Sequence, residues 1–186
     1  DLTLSVSGTM NVTVSIDGFT VTFGSVQDFN GTETLTFTVN DNQGRAIASD
    51  DVDVIVTPVN DAPILTEIGD QSTNEDTPLV ITLSGSDVDE DNLTFSAVSE
   101  YPGYVSAEVT GNQLTLTPAE DFNGDVNISV SVTDGEYTDN TVFTLTVTPV
   151  NDSPTIALPE NFTFHEDENL FENFGSYLYD IDFDNL

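Results

Sequence analysis

An eight-residue passage occurs twice in this chain, as VTPVNDAP from Val56 to Pro63 and as VTPVNDSP from Val147 to Pro154, 91 residues later. Its flanks recur with it. QDFNG at Gln27 to Gly31 returns as EDFNG at Glu120 to Gly124, NEDTPL at Asn74 to Leu79 as HEDENL at His165 to Leu170, and DVDEDNL at Asp87 to Leu93 as DIDFDNL at Asp180 to Leu186. A period of 91 to 93 residues is far longer than the repeats of solenoids or propeller blades and is the length of a whole domain. The chain therefore reads as a tandem array, with a first copy over residues 1–61 that lacks its opening strand, a complete copy over 62–152, and the opening segment of a third over 153–186. Asp1 and Leu2 match Asn92 and Leu93, and Asn185 and Leu186 match the same point one copy later. The 186 residues are thus expected to be two periods cut from a longer protein.

Within each copy, apolar residues alternate with Thr, Ser and Asp, as in Val12, Val14, Ile16, in Leu35, Phe37, Val39, and in Val126, Ile128, Val130, Val132. Period two with β-branched enrichment specifies strands that bury one face. Turn pairs punctuate them at Asp17–Gly18, Asn30–Gly31, Gly111–Asn112, Asn123–Gly124 and Asp134–Gly135. About seven short strands per copy is the pattern of an all-β fold, tandem antiparallel Greek-key β-sandwiches of immunoglobulin-like type. Pro58 and Pro149 suit strand ends, because proline donates no ladder hydrogen bond.

Thirty-four Asp and Glu stand against a single Lys or Arg, for a formal charge of −33. Such a surface repels phosphate backbones and anionic lipid, so nucleic-acid binding and direct membrane insertion are excluded as functions, and cations are the natural partners. With one histidine, His165, and no cysteine, zinc sites and His-dependent nucleophilic catalysis lack their groups. Paired carboxylates could serve glycoside hydrolysis, but a catalytic cleft has no reason to recur at every junction, and no enzyme activity is expected. Hydrophobic residues at 37% in regular alternation are enough for packed cores despite the charge.

The acidic residues gather at Asn60–Asp61, Glu75–Asp76, Asp87 to Asp91, and in the loops holding Asp28, Asp121 and Asp134. In a sandwich, the linker, the loop after the first strand and the Asp134 loop can meet at one pole of a domain. Converging oxygen ligands without a basic partner need a hard cation to offset their repulsion. Solvated acidic loops suited to salty water are the plain alternative, and Asp28 and Asp121 are equally well placed to cap turns.

These motifs resemble the bacterial cadherin-like repeats of very large secreted adhesins of Gram-negative bacteria, including biofilm-associated surface proteins. The cadherin linker motif DxNDNxP is matched by PVNDAP and PVNDSP, and the DAD motif by Asp87, Val88, Asp89 and by Asp180, Ile181, Asp182. The DRE motif corresponds to Asp28, Phe29, Asn30 and to Asp121, Phe122, Asn123, with Asn30 and Asn123 where the family has glutamate. The first-strand glutamate corresponds to Glu75 and Glu166, and the late DxG aspartate to Asp41 and Asp134. The resemblance implies Ca²⁺ at the junction of copies one and two through Asp28, Asn60, Asp61, Asp87, Asp89 and Asp134. At the next junction it implies Glu75, Asp121, Asn151, Asp152, Asp180 and Asp182. It further implies an extracellular or bacterial cell-surface location, and a role as calcium-stiffened extender repeats packed against neighbouring repeats.

Two other readings stand beside this one. Tyr101, Tyr104, Phe122 and Tyr137 could offer flat faces to a sugar, which would make the chain a polysaccharide-binding module of an adhesin or a carbohydrate-active enzyme. A halophilic spacer with no specific metal is the other. Finally, residues 1–61 without an opening segment are expected to expose a sheet edge and an apolar groove, and residues 153–186 carry just such a segment. Head-to-tail self-association through the tail is the expected consequence.

Overall fold

The computed structural model describes residues 2–44 and 47–182. The matches of Asp1, Asn185 and Leu186 to their counterparts, and the single basic residue Arg45, fall outside them. The chain divides into two compact units, Asp1–Asp61 and Ala62–Leu186, so the tail from residue 153 groups with the second copy.

The first unit holds β1 (Thr3–Ser7), β2 (Val12–Asp17), β3 (Thr20–Ser25), β4 (Gly31–Asn40) and β5 (Ile47–Val56). They form one sheet in the order β1-β4-β5 and the hairpin β2-β3, all antiparallel. Asp17 pairs with Thr20, so Gly18 and Phe19 make a two-residue loop, with Gly18 at φ 60°. Val12 and Leu35 are its fully buried apolar residues. Between β1 and β2, Glu33 of β4 receives three backbone N–H groups, from Met10 at 2.7 Å, Asn11 at 2.8 Å and Val12 at 3.3 Å.

Those donors, Met10 first and then Asn11, hold the Glu33 carboxyl below its ordinary range. A depressed carboxyl stabilises the fold above its unfolded pKa of about 4.3 and loses that contribution as pH falls through the folded value. Glu33→Gln is therefore expected to lower the stability of the first unit at neutral pH. The gap from the parent should close below about pH 4, read by circular dichroism during urea titration in EDTA. A gap of the same size at both ends of the pH range would refute this role.

The second unit begins with the short strands β6 (Ile64–Leu65), β7 (Gln71–Asn74), β8 (Leu79–Thr82) and β9 (Gly85–Ser86). The longer ones follow: β10 (Thr94–Ser99), β11 (Val105–Thr110), β12 (Gln113–Pro118), β13 (Gly124–Thr133) and β14 (Thr138–Thr148). Two sheets result, ordered β10-β13-β14-β7 and β11-β12-β8, with β6 paired to β9. Pairing is antiparallel except that β7 runs parallel to β14. Along β13 every second residue from Val126 to Val132 is buried, which is the alternation expected of a strand covered on one face. Leu114 and Leu116 of β12, Val105 of β11 and Leu65 and Leu83 of the opening segment join them in one core. Each full burial of a Val, Leu or Ile side chain contributes about 1.5 to 3 kcal/mol. No α-helix occurs among the described residues, and none of their helices is long and apolar enough to cross a membrane.

The repeat is visible in backbone geometry. Asp28 and Asp121 have φ of 59° and 57°, Gly31 and Gly124 of 137° and 138°, and Asp76 and Asp167 of 59° and 64°. The Asn30–Gly31 and Asn123–Gly124 pairs are not hairpin turns. The turns lie three residues earlier, centred on Gln27–Asp28 and Glu120–Asp121 and closed by Phe29 N–H on Val26 O at 3.4 Å and Phe122 N–H on Ala119 O at 3.2 Å, and the glycines start β4 and β13. A Cβ on Gly31 or Gly124 would stand 3.6 Å from the Phe29 or Phe122 ring, and the positive φ excludes most other residues there. In the tail, β15 (Thr155–Ile156), a 3₁₀ turn (Phe174–Tyr177) and β16 (Leu178–Tyr179) follow. The β15–β16 pairing reproduces β6–β9 one copy later.

Candidate metal centre

β7 lies parallel to β14 through Thr148, so its end brings Glu75 beside the linker that leaves β14. The pair is fastened in both directions: Glu75 N–H donates to Thr148 O at 2.9 Å, and Val150 N–H donates to Glu75 Oε1 at 2.5 Å. Glu75 is only 3% exposed, a buried carboxylate in a chain with almost no basic residues. Asp76 follows in a left-handed turn, and the β12–β13 turn, also left-handed, presents Asp121. From the tail, Asp182 Oδ2 accepts the Asp152 N–H at 2.5 Å, while Asp180 Oδ1 accepts the Asp182 N–H at 3.1 Å.

These elements bring carboxylate oxygens of Glu75, Asp152 and Asp182 within 4.8 Å of one another, and likewise those of Asp76, Asp121 and Asp152. Asp152 belongs to both groups. The described residues therefore contain four acidic side chains, Glu75, Asp76, Asp121 and Asp182, converging on one linker aspartate. Asp180 is in neither group and instead holds the Asp182 backbone, and Asn151 turns its Nδ2 onto Asp152 O at 2.9 Å. Asp76 was missed by the sequence reading as a ligand, although NEDTPL and HEDENL place an acidic pair there in both copies. Its left-handed φ, which turns the residue after Glu75 toward the linker, is not a sequence signal.

Electrostatics records the crowding. Asp121 and Asp152 both sit above the ordinary carboxylate range, first through burial and then through neighbouring acids, Glu120 and Asp76 for Asp121 and Asp182 and Asp121 for Asp152. The sequence offers little to offset them, a single Lys or Arg and one histidine, and His165 is exposed. Five carboxylates with oxygen-only chemistry and no thiol or imidazole match the donor set of a hard divalent cation.

The six residues of the other expected site are divided between the units. Asp28 is exposed in its left-handed turn, Asn60 is half-buried and Asp61 exposed at the end of the first unit. In the second unit Asp87 Oδ1 accepts the Asp89 N–H at 2.8 Å and the Asp91 N–H at 3.4 Å. The other oxygen, Asp87 Oδ2, is buried without a hydrogen-bond partner, a costly state for a carboxylate unless a cation meets it. Asp134 Oδ1 accepts from Glu136 and Tyr137 N–H at 2.7 and 2.6 Å. The Asx turn of Asp87–Asp89 recurs at Asp180–Asp182, so both DxD motifs have one local geometry.

Comparison with known proteins bears on the region that holds these groups. Residues 59–148 match the family model of the cadherin-like domain. The match takes in the second copy from its PVND linker to the end of β14, with Glu75, Asp87, Asp121 and Asp134 inside it. Among solved structures, human protocadherin-24 EC1-2 resembles the chain with a TM-score of 0.54 at 15% identity, over 78% of this chain and 81% of that one. Mouse clustered PcdhgC3 EC1-3 gives 0.50 at 16% identity, over 80% and 56%. At these identities the likeness establishes the cadherin-like fold alone. An endo-fucoidan hydrolase of glycoside hydrolase family 107, MfFcnA4, is matched at a TM-score of 0.39 and 18% identity over 83% of this chain. The chain spans about a quarter of that hydrolase's length, 26%. No curated protein sequence matches the chain significantly.

Proposed function

We propose that the chain is a run of extracellular, non-enzymatic adhesion-type repeats of a large bacterial surface protein, stiffened by Ca²⁺ at the junctions between repeats. The observation that carries this reading is Asp152, a linker residue whose carboxylate is shared by two acidic groups drawn from the second copy and from the third copy's opening segment. Without metal the five carboxylates repel, and the linker is free to swing. A cation bound by Glu75, Asp76, Asp121, Asp152 and Asp182 would supply the missing positive charge and tie consecutive repeats through one ligand shell. By the repeat, Asp28, Asn60, Asp61, Asp87, Asp89 and Asp134 would do the same at the first junction, with Asp87 Oδ2 already desolvated.

Small-angle scattering tests this reading. In Ca²⁺ the parent is expected to be extended, and Asp87→Ala with Asp89→Ala to give a more bent or heterogeneous chain while each sandwich stays folded. Identical profiles would remove these aspartates from the ligand set.

One observation favours a second reading, a carbohydrate-binding module. Tyr104 stacks on Phe122 with ring centroids 4.8 Å apart and planes 9° from parallel, and the half-exposed Tyr101 lies 6.1 Å from Tyr104. Ala119 N–H on Tyr104 O at 2.7 Å fastens this platform. Glycan-array binding that persists in EDTA would favour it over the extender reading, which expects none.

A further inference from the structure

The loop between β10 and β11 differs from its counterpart between β1 and β2. Register aligns Ser7 with Val98, because their partners Thr36 and Ser129 match by the repeat. At the other end, Val26 N–H donates to Asn11 O at 2.8 Å and Ala119 N–H to Tyr104 O at 2.7 Å, so Asn11 and Tyr104 hold one place in one backbone frame. The loop of the second copy is therefore two residues longer. It brings in Tyr101 and Tyr104, whereas Gly8 to Asn11 contain no aromatic residue. Two carboxylates arrive with the tyrosines: Glu100 lies in the same loop, and Glu120 replaces Gln27 at the head of the DFNG turn.

Neither tyrosine serves the core. Phe122, present in both copies as Phe29 and Phe122, packs against it, but Tyr101 and Tyr104 are 50% and 54% exposed. Tyr104 and Val105 N–H both donate to Tyr101 O, at 2.9 and 3.0 Å, which fixes the pair on a tight turn. Their ring planes meet at 55° with centroids 6.1 Å apart, an open corner backed by the Phe122 ring stacked on Tyr104. Glu100 Oε2 accepts from Asn127 Nδ2 at 3.0 Å, and Glu120 is exposed. The first copy folds on the same frame without these groups, so the strand pattern does not require them.

We propose that this corner binds a polysaccharide carrying free amino groups, an inference that rests on the carbohydrate-binding reading above and gives it a substrate class. The tyrosines offer flat apolar faces to the C–H side of a sugar ring. Charge then selects among sugars. Sulfated and uronic acid chains are repelled by a formal charge of −33, and neutral chains gain nothing from Glu100 and Glu120. An ammonium group on the sugar is drawn to both carboxylates. Placed between the rings, it lies within the reach of about 6 Å at which each centroid attracts a cation.

The test is calorimetric titration of the full chain in EDTA, independent of the metal reading, at mildly acidic pH where sugar amines are charged. Glucosamine oligomers are expected to bind roughly tenfold more tightly than their N-acetylated counterparts, the effect of a cation–π contact and exposed ion pairs together. Tyr101→Ala with Tyr104→Asn should abolish both, and since asparagine occupies that frame in the first copy, the variant should fold. Glu100→Gln with Glu120→Gln should lower the amino oligomer to the affinity of the neutral one and leave the neutral one unchanged. Equal affinity for the two oligomers, lost in the tyrosine variant, would overturn the amino-sugar assignment and leave the carbohydrate-binding reading standing. No binding of either would remove both. Amino-oligomer binding that survives in the tyrosine variant would overturn the proposal, being general attraction to an acidic chain. A lysine peptide of equal charge that binds as tightly and needs the tyrosines would make the occupant a basic protein segment and overturn it too.

Discussion

Millimolar Ca²⁺ is expected to raise the melting temperature of this chain well beyond an equal ionic strength of NaCl, the largest effect the carboxylates around Asp152 should produce. A ligand that binds only the folded state stabilises it by RT ln(1 + [L]/Kd), and extracellular calcium modules have Kd of about 10⁻⁴ to 10⁻³ M. At about 10 mM Ca²⁺ each site then contributes roughly 1.4 to 2.7 kcal/mol, a rise of about 3 to 10 °C for a unit of this size. NaCl also screens the formal charge of −33, so the matched-salt control separates general screening from a site. Differential scanning calorimetry decides it. Equal shifts from the two salts would leave only acidic loops adapted to salt.

The second large effect is a reversal of sign on one residue. Asp152 is common to both carboxylate groups and is held protonation-prone by burial and by Asp182 and Asp121. Asp152→Asn keeps the side-chain shape and leaves the backbone N–H that donates to Asp182 Oδ2. In EDTA the variant should therefore match or exceed the parent in melting temperature, because one of the repelling charges is gone. In Ca²⁺ it should fall below the parent by most of the increment at that site, about 1 to 3 kcal/mol, since the shared ligand is lost. The crossing of the two orders is what a purely structural aspartate would not produce. A calcium shift of the same size in parent and variant would take Asp152 out of the site. Glu75 makes a useful contrast: it is buried and accepts the Val150 N–H, so Glu75→Ala is expected to destabilise with or without metal.

Much of this was legible in the chain. The long strands β4, β5, β13 and β14 follow from period-two alternation, and Gly18 and Gly111 mark two-residue hairpin loops. The linker and DxD motifs pointed to acidic residues that converge, Asp152 and Asp182 among them. The short strands β6, β7 and β9 were less legible, because two to four residues carry too little periodicity and exist only where a neighbouring edge accepts them. In the second copy β7 forms beside β14 and β8 beside β12, and in the tail the β15–β16 pair forms while the stretch between contains no strand. The turn reading of Asn-Gly failed for a related reason, since the left-handed residue proved to be the aspartate two places earlier.

Sequence alone determined the repeat, its period, the β class and the demand for cations, because alternation, spacing and net charge are properties of the chain before it folds. Only the tertiary structure decided which acids meet. Asp76 joins the group through a left-handed turn, whereas Asp180 lies in neither group and has its Oδ1 on the Asp182 N–H. Burial was likewise a tertiary outcome: Phe23 and Leu116 occupy the same place in the same pattern, and one is open while the other is sealed. Whether an apolar side chain is covered depends on the segment lying across from it, and in the second copy that segment, β7 and β8, comes from elsewhere in the chain.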